Sequence, residues 1–326
     1  MRTALWADRF EPLTLTGLKL LEGLKSSYDR VVLFPYDKRG VASSEARLSL
    51  LRLSLDDRAE IFQGGRPEDF LEDHADEDID LCYQADKDVY ELDSHPLHRA
   101  SHHGWDSRVC LPLELASLDI GRATRQGEVM DISLPVFRTI VENGLYFAKY
   151  IRSYLTKARY DHSCQVAYTA YKIALRNGID PQQALLGGIY HDVGKDLEEK
   201  KQREVVKEQF GLDVKEGYAL HQYVSAYLAR TVFNVADRPV LDAIMSHCTG
   251  RGVMTPLDML IYSADKCEPT RPFETLSHRK ACLDNLQEGF ILILRDQVSY
   301  FKSHNIAFMT NPDTIEMYHT YLGEPL

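Results

Sequence analysis

Long apolar runs are missing from this 326-residue chain. No stretch reaches the roughly 18 to 20 apolar residues that a membrane-spanning helix requires, which excludes an integral helical membrane protein. The first twelve residues, MRTALWADRFEP, carry charge and proline where a secretory leader needs an unbroken apolar core, so the expectation is a soluble cytoplasmic protein. Basic runs are also lacking. The chain has 38 Lys and Arg against 49 Asp and Glu, a formal charge of −11, which argues against a nucleic-acid surface built on phosphate neutralisation. Small polyanionic substrates stay open if metal ions supply the positive charge. The six cysteines (Cys82, Cys110, Cys164, Cys248, Cys267, Cys282) form no CxxC pair, which speaks against both a zinc knuckle and a disulfide framework and predicts reduced thiols.

What is present suits two globular domains. Hydrophobic residues make up 44% of the chain and charged residues 27%, enough for two cores. Residues 3–7 (TALWA) and 30–35 (RVVLFP) read as strands. They alternate with LTLTGLKLLEGL and with SSEARLSLLRLSL, amphipathic helices, the second with Ser44 available as N-cap. This alternation predicts a parallel α/β sheet of Rossmann type. Residues 65–135 give no clear period; the acidic stretch 67–79 reads as a solvated face, and His102, His103 and Trp105 as a solvent-facing loop.

From about Tyr146 the chain becomes helix after helix. Asp180-Pro181-Gln182-Gln183 is a helix start with Asp as cap, Pro in the first turn and Gln placed to reach back, while Gly178 ends the helix before it. Thr255-Pro256-Leu257-Asp258 repeats the pattern. Leu283, Leu286, Phe290, Ile291, Leu294 and Val298 predict one long amphipathic helix over 275–303, whose apolar face makes a homodimer an expectation. The boundary is placed near 145–155, giving domains 1–145 and 146–326, the second all-α.

Six metal-competent residues lie in the helical half in the order His162, His191, Asp192, His221, His247, Asp265. The Asp192 carboxylate beside the apolar run ALLGGIY is costly to bury unless a cation or hydrogen bonds compensate it. Gly187 and Gly188 in that run would let a neighbouring helix or a ligand approach closely. Imidazoles with carboxylates suit first-row transition metals, and four His with two Asp exceed what one tetrahedral ion takes. Two ions sharing a bridging carboxylate would use all six, and such a pair can activate water for in-line displacement at phosphorus.

The ordered blocks YDHSCQVAYTA, GGIYHDVGKDL, LHQYVSAYLA, IMSHCTGRGVMTPLD and IYSADKCEPTRPF, over roughly 146–300, resemble the HD-domain metal phosphohydrolases. Within these they look most like the bacterial symmetrical diadenosine tetraphosphate hydrolases. The resemblance implies a helical HD fold, a dinuclear centre of iron type (manganese or cobalt being alternatives), and cleavage of diadenosine tetraphosphate to two ADP. It implies that His162, His191, Asp192 and Asp265 hold one metal and that Asp192 bridges to a second held by His221 and His247. Lys195 would face the phosphates as a fixed charge or proton donor, and Thr249, Gly250 and Arg271 would contact the nucleotide. Cys248 stands where the family usually has Thr, and a thiol beside the metals would make the site sensitive to oxidation. Other nucleotides, such as a deoxynucleotide or a guanosine polyphosphate, and nucleotide sensing without turnover, are the competing readings.

The first half resembles the nicotinate-nucleotide adenylyltransferases more faintly. Phe10-Glu11-Pro12-Leu13 lies where that family has its GxFDPxHxGH loop, and ISLPVFR (132–138) where it has ISSTxIR. Thr14 and Gly17 replace the two histidines that stabilise charge on the attacked triphosphate, and Leu134 and Pro135 remove hydroxyls of the second block. The expectation is a nucleotidyltransferase-type fold without its catalysis.

Overall fold

The computed structural model describes residues 1–8, 10–35, 42–64, 67–86, 89–94, 107–111, 131–272, 275–304 and 311–323. His95, His102, His103 and Trp105 lie outside them. The chain divides into two compact units, with the boundary between Tyr146 and Phe147.

In the first unit the apolar runs form strands buried on both faces, as parallel strands must be. Strand β1 (Arg2–Asp8) pairs in parallel with β2 (Arg30–Pro35) and with β4 (Asp78–Asp86), and β2 pairs with the short β3 (Glu60–Ile61). Side chains along β1 alternate between two cores, because successive residues point to opposite faces. Ala4 and Trp6 pack with Leu20, Leu21 and Leu24 of α1 (Leu15–Ser27) and with Leu51 and Leu55 of α2 (Ser44–Leu55). Leu5 and Ala7 pack on the other side with Phe70 and Leu71 of α3 (Pro67–Asp73). Helix α3 accounts for the acidic stretch: its apolar pair is buried while Glu72 and Asp73 face solvent. Beyond β4 the sheet turns antiparallel through β5 (Val89–Ser94) and β6 (Ser107–Leu111), an extension that the sequence pattern did not reveal.

The loop after β1 is closed by its own side chains. Thr14 caps α1, its Oγ accepting from the Gly17 amide at 2.9 Å. Glu11 and Arg47 form a buried ion pair at 3.6 Å. Ser43, one residue earlier than expected, caps α2. Helix α4 (Leu134–Asn143) completes this unit and ends at Gly144, whose φ of 63° is the left-handed conformation that glycine adopts without strain.

The second unit is helical throughout its described residues: α5 (Phe147–Tyr154), α6 (Lys157–Asn177), α7 (Pro181–Tyr190), α8 (Glu199–Phe210), α9 (Leu220–Thr231), α10 (Arg238–Ser246), α11 (Pro256–Cys267), α12 (Leu276–Asp284), α13 (Leu286–Ser303) and α14 (Pro312–Leu322), with a 3-10 turn at Gly217–Ala219 before α9. Capping sets where these helices start. Asp180 accepts from the amides of Gln182 and Gln183, and Asp237 accepts from Val240. The Gln183 side chain does not reach back to Asp180; its Nε2 donates to Asp237 Oδ2 at 3.0 Å and so links the starts of α7 and α10. Thr255 and Asp258 form a full capping box.

The single helix expected over 275–303 is two. Asn285, extended at φ −153°, ends α12 and caps α13 by accepting from the Glu288 amide, a competition with the helix backbone that Asn side chains readily win. The apolar face of α13 (Leu286, Phe290, Ile293, Leu294, Val298) is buried within the chain, so it offers no ground for expecting a dimer.

Helix α7 packs tightly on α6 and α11 because it lacks side chains at the crossings. A Cβ at Gly188 would lie 2.5 Å from the Ala167 Cα, and one at Gly187 would lie 2.7 Å from the Ile261 Cδ1. Gly188→Ala is therefore expected to cost about 1–3 kcal/mol or more through overpacking, since the opposing atom is backbone. Gly187→Ala, opposed by a side chain that can rotate, should cost less. Urea denaturation of the two variants checks the order.

Candidate metal centre

Two histidines are aimed by the same local device. His191 and His247 each occupy the C-cap position, of α7 and α10 respectively, where the last carbonyls of a helix lack intrahelical partners. His191 Nδ1 donates to the Gly188 carbonyl and His247 Nδ1 to the Ile244 carbonyl, both at 2.7 Å. A carbonyl can only accept, so the proton sits on Nδ1 and the Nε2 lone pair points away from the helix. His162, on the buried face of α6, is fixed in the same sense by a carboxylate: its Nδ1 lies 3.1 Å from Glu268 Oε1.

These lone pairs converge on Asp192, buried in the turn after α7. Its Oδ1 lies 3.1 Å from His221 Nε2 and 3.5 Å from His247 Nε2, and its Oδ2 lies 3.7 Å from His191 Nε2. Asp265, near the end of α11, places Oδ1 3.0 Å from His162 Nε2 and 3.7 Å from His191 Nε2. The ligand atoms fall into two sets, His162 with His191 and Asp192, and Asp192 with His221 and His247. Asp192 belongs to both. All six residues singled out in the sequence thus meet in one place, His162 and Asp265 from 103 positions apart.

The site fits cations better than it fits itself. His191 Nε2 is fully buried and has no hydrogen-bond partner among the described residues, a costly state for a polar atom. His221 Nε2 and His247 Nε2 face each other at 3.1 Å. Divalent ions would satisfy these atoms at once, and imidazole with carboxylate is the donor set that transition metals take.

Electrostatics agree. Burial works to raise the Asp192 carboxyl, but His191, His221 and His247 hold it well below the usual carboxylate range. Asp265 is likewise held down against burial by Lys266, His162, His191 and Arg271. Burial pushes His247 down to about 3, so it stays neutral and able to coordinate. His221 is also lowered, chiefly by burial. Burial raises the Cys248 thiol above its ordinary value, which favours the protonated form.

The remaining sequence candidates have mixed placements. Lys195 Nζ lies 3.0 and 3.1 Å from the two ring nitrogens of His221. Arg271 is spent on Asp265, donating from Nε to its carbonyl at 2.7 Å and from Nη2 to its carboxylate. Thr249 is buried, its Oγ held by Gln222 and its carbonyl by Thr314. It therefore supports the segment after His247 and presents no free hydroxyl. Gly250 has φ +69°, and a Cβ there would run into Met317.

Four residues of the site escaped the sequence reading. Glu268 backs His162. Lys266 donates to Asp265 Oδ2 at 2.8 Å and to the His247 carbonyl at 3.0 Å, tying the two sets together. Gln222 accepts from the amides of Cys248 and Thr249. Arg159 lies 3.6 Å from Asp192 and 3.9 Å from Asp196, and makes no hydrogen bond among the described residues. Its spacing three residues before His162, on the same helix face, was the available signal.

The Glu268 and His162 pair makes stability depend on pH in the metal-free protein. Burial opposes both charges, but His162 and Thr270 lower Glu268 below the ordinary 4.5, and Asp265 and Glu268 raise His162 above the ordinary 6.5. The Glu268 contribution is present above pH 4.5 and fades as pH falls through the lowered value. The His162 contribution is present below pH 6.5 and fades as pH rises through the raised one. The Tm difference between wild type and Glu268→Gln, measured with chelator, should peak between about pH 4.5 and 6.5 and narrow on both sides.

The HD domain family model matches residues 159–270, which hold every residue of this centre up to Glu268. A protein of Halalkalibacterium halodurans named symmetrical bis(5'-nucleosyl)-tetraphosphatase is 31% identical over 178 residues, covering 53% of this chain and 94% of that protein. A Mycoplasma genitalium protein named probable nicotinate-nucleotide adenylyltransferase/Ap4A hydrolase is 27% identical over 233 residues, 68% of this chain; the chain spans 65% of that relative's length. A solved Clostridium acetobutylicum structure, described as an HD superfamily hydrolase involved in NAD metabolism, matches with a TM-score of 0.50 at 28% identity, over 57% of this chain and 97% of that one. With its matched blocks folded around a shared Asp192, the chain belongs to the HD-domain phosphohydrolases, in the family of the symmetrical bis(5'-nucleosyl)-tetraphosphatases.

Proposed function

We propose that this chain hydrolyses diadenosine tetraphosphate symmetrically, to two ADP, at a dinuclear centre. The observation that carries the reading is the pair of donor sets joined by Asp192, with a buried His191 Nε2 that no group among the described residues satisfies. His162, His191, Asp192 and Asp265 would hold one ion, and Asp192 with His221 and His247 would hold a second. Iron, manganese or cobalt bound there would supply an activated water and positive charge against the phosphoryl oxygens.

The chain's own residues then bind and orient the polyphosphate. Around the donors stand Arg159, Lys195, Lys266 and Arg271 against Asp192, Asp196, Asp265 and Glu268, a local balance of charge in a chain whose overall charge is −11. Lys266 and Arg271 are bonded to Asp265, so they steady that ligand and act on substrate only through it. Arg159 and Lys195 flank Asp192 with donors to spare, and they take the phosphate oxygens that face the rim. A substrate with four linked phosphates carries charge enough to use both metal positions and both rim cations. The relative named symmetrical tetraphosphatase, covered almost end to end, supports this choice over other nucleotides.

For the first unit we propose a nucleotidyltransferase-type fold without adenylyl transfer. The 233-residue match to the Mycoplasma relative is longer than the second unit and so reaches into the first. Thr14 is engaged as a helix cap where the related enzymes use a histidine, leaving no imidazole at that helix start.

Incubation with diadenosine tetraphosphate should yield ADP as the sole nucleotide product, read by ion-exchange chromatography; AMP with ATP, or preference for a deoxynucleotide or guanosine polyphosphate, overturns the substrate assignment. Asp192→Ala should lose both metal and turnover, by at least about a thousandfold, while keeping its helical circular dichroism. Conversion of ATP and nicotinate mononucleotide to a dinucleotide would refute the account of the first unit.

A further inference from the structure

The two donor sets are not equivalent, and the difference lies in what stands behind the imidazoles. His162 has Glu268 behind Nδ1, His191 has the Gly188 carbonyl and His247 has the Ile244 carbonyl. Each acceptor fixes the proton on Nδ1 and leaves Nε2 for a cation. His221 differs: among the described residues its Nδ1 meets no acceptor, only the Lys195 ammonium at 3.1 Å, and that same positive charge lies 3.0 Å from the Nε2 that a cation would need.

We infer that the two metal positions differ in affinity: the position formed by His162, His191, Asp192 and Asp265 is tight and resident, and that formed by Asp192, His221 and His247 is weak and exchangeable. This rests on the ligand assignment proposed above. The first position has four donors and the second three. Glu268 adds a second anion behind the first, itself steadied by the Thr270 hydroxyl at 2.7 Å. Lys266 and Arg271 offset the charges of Asp265 and Glu268 there, so the first position is close to balanced around its shared Asp192. At the second position no carboxylate among the described residues pairs with Lys195, whose contacts are the two ring nitrogens of His221. A second ion settles best once a polyphosphate has drawn the Lys195 ammonium onto its own oxygens, so substrate and the second ion should favour each other's binding.

Titration of the chelator-stripped full chain with Mn²⁺, following free Mn²⁺ by electron paramagnetic resonance, tests the inequality. One ion per chain should bind first and a second at least about tenfold more weakly. Glu268→Gln should weaken the first step by about 10–100-fold and leave the second in place. Lys195→Met should tighten the second step and leave the first unchanged. Two equal steps in wild type, a Glu268→Gln variant that weakens both alike, or a Lys195→Met variant with an unmoved second step would each overturn the inference. Circular dichroism establishes that Glu268→Gln is folded; if it is not, the partly exposed Lys195 variant decides. Failure of the ligand assignment looks different: wild type then takes up no Mn²⁺, or Asp192→Ala retains both steps.

Discussion

The structure depends on a single buried carboxylate. Asp192 is out of water, and an ionised carboxylate survives there only with compensation worth several kcal/mol. Three imidazoles provide it where they bring protons on Nε2, as His221 does at 3.1 Å, but two of them point Nδ1 at helix carbonyls, so in their neutral form they turn lone pairs toward Asp192. Anion and lone pairs crowded together repel unless positive charge enters between them. The second unit is thus organised around a place that its own groups leave electrostatically incomplete, and a cation pair is the simplest completion.

How the chain reaches that state follows from helix ends. The caps at Asp180, Asp237 and Thr255 fix where α7, α10 and α11 begin, and the lengths of α7 and α10 then put His191 and His247 at their C-termini, where unpaired carbonyls await. Gly187 and Gly188 allow α7 to sit against α6 and α11 at distances that any side chain would prevent. That closeness brings His162 from α6 and Asp265 from α11 to within hydrogen-bond range of each other. Caps, glycines and ligands form one causal chain, and a fault in the packing would appear at the metals.

Much of this was legible from the sequence, for physical reasons that can be named. Caps and periodicity are local, so the starts of α7 and α11 could be read from a few residues each. The six donors were legible as an ordered set, because each needed a reason to interrupt an apolar face. The residues behind them were not. Glu268 looks like any acidic residue after a helix until the chain folds it back onto His162, and nothing local shows that Arg271 directs two of its donors to Asp265. The break at Asn285 was hidden by an apolar spacing that runs through both helices unchanged. The antiparallel strands β5 and β6 lie in a stretch where polar and apolar residues follow no simple period.

The start of α1 and the metal centre differ in how completely each satisfies its own polar groups. At the start of α1 the Thr14 hydroxyl takes up a free helix amide, and Glu11 is paired with Arg47 beneath it. A loop in that condition has little left to offer a phosphate, since the groups that would bind one are bonded internally. In the second unit a buried imidazole nitrogen has no partner among the described residues, a guanidinium at the rim makes only long ion pairs there, and an ammonium rests against a histidine that cannot hold it strongly. Stability alone would remove such features, because each costs free energy in the unliganded fold. Their concentration around one carboxylate marks where binding energy is recovered from outside the chain.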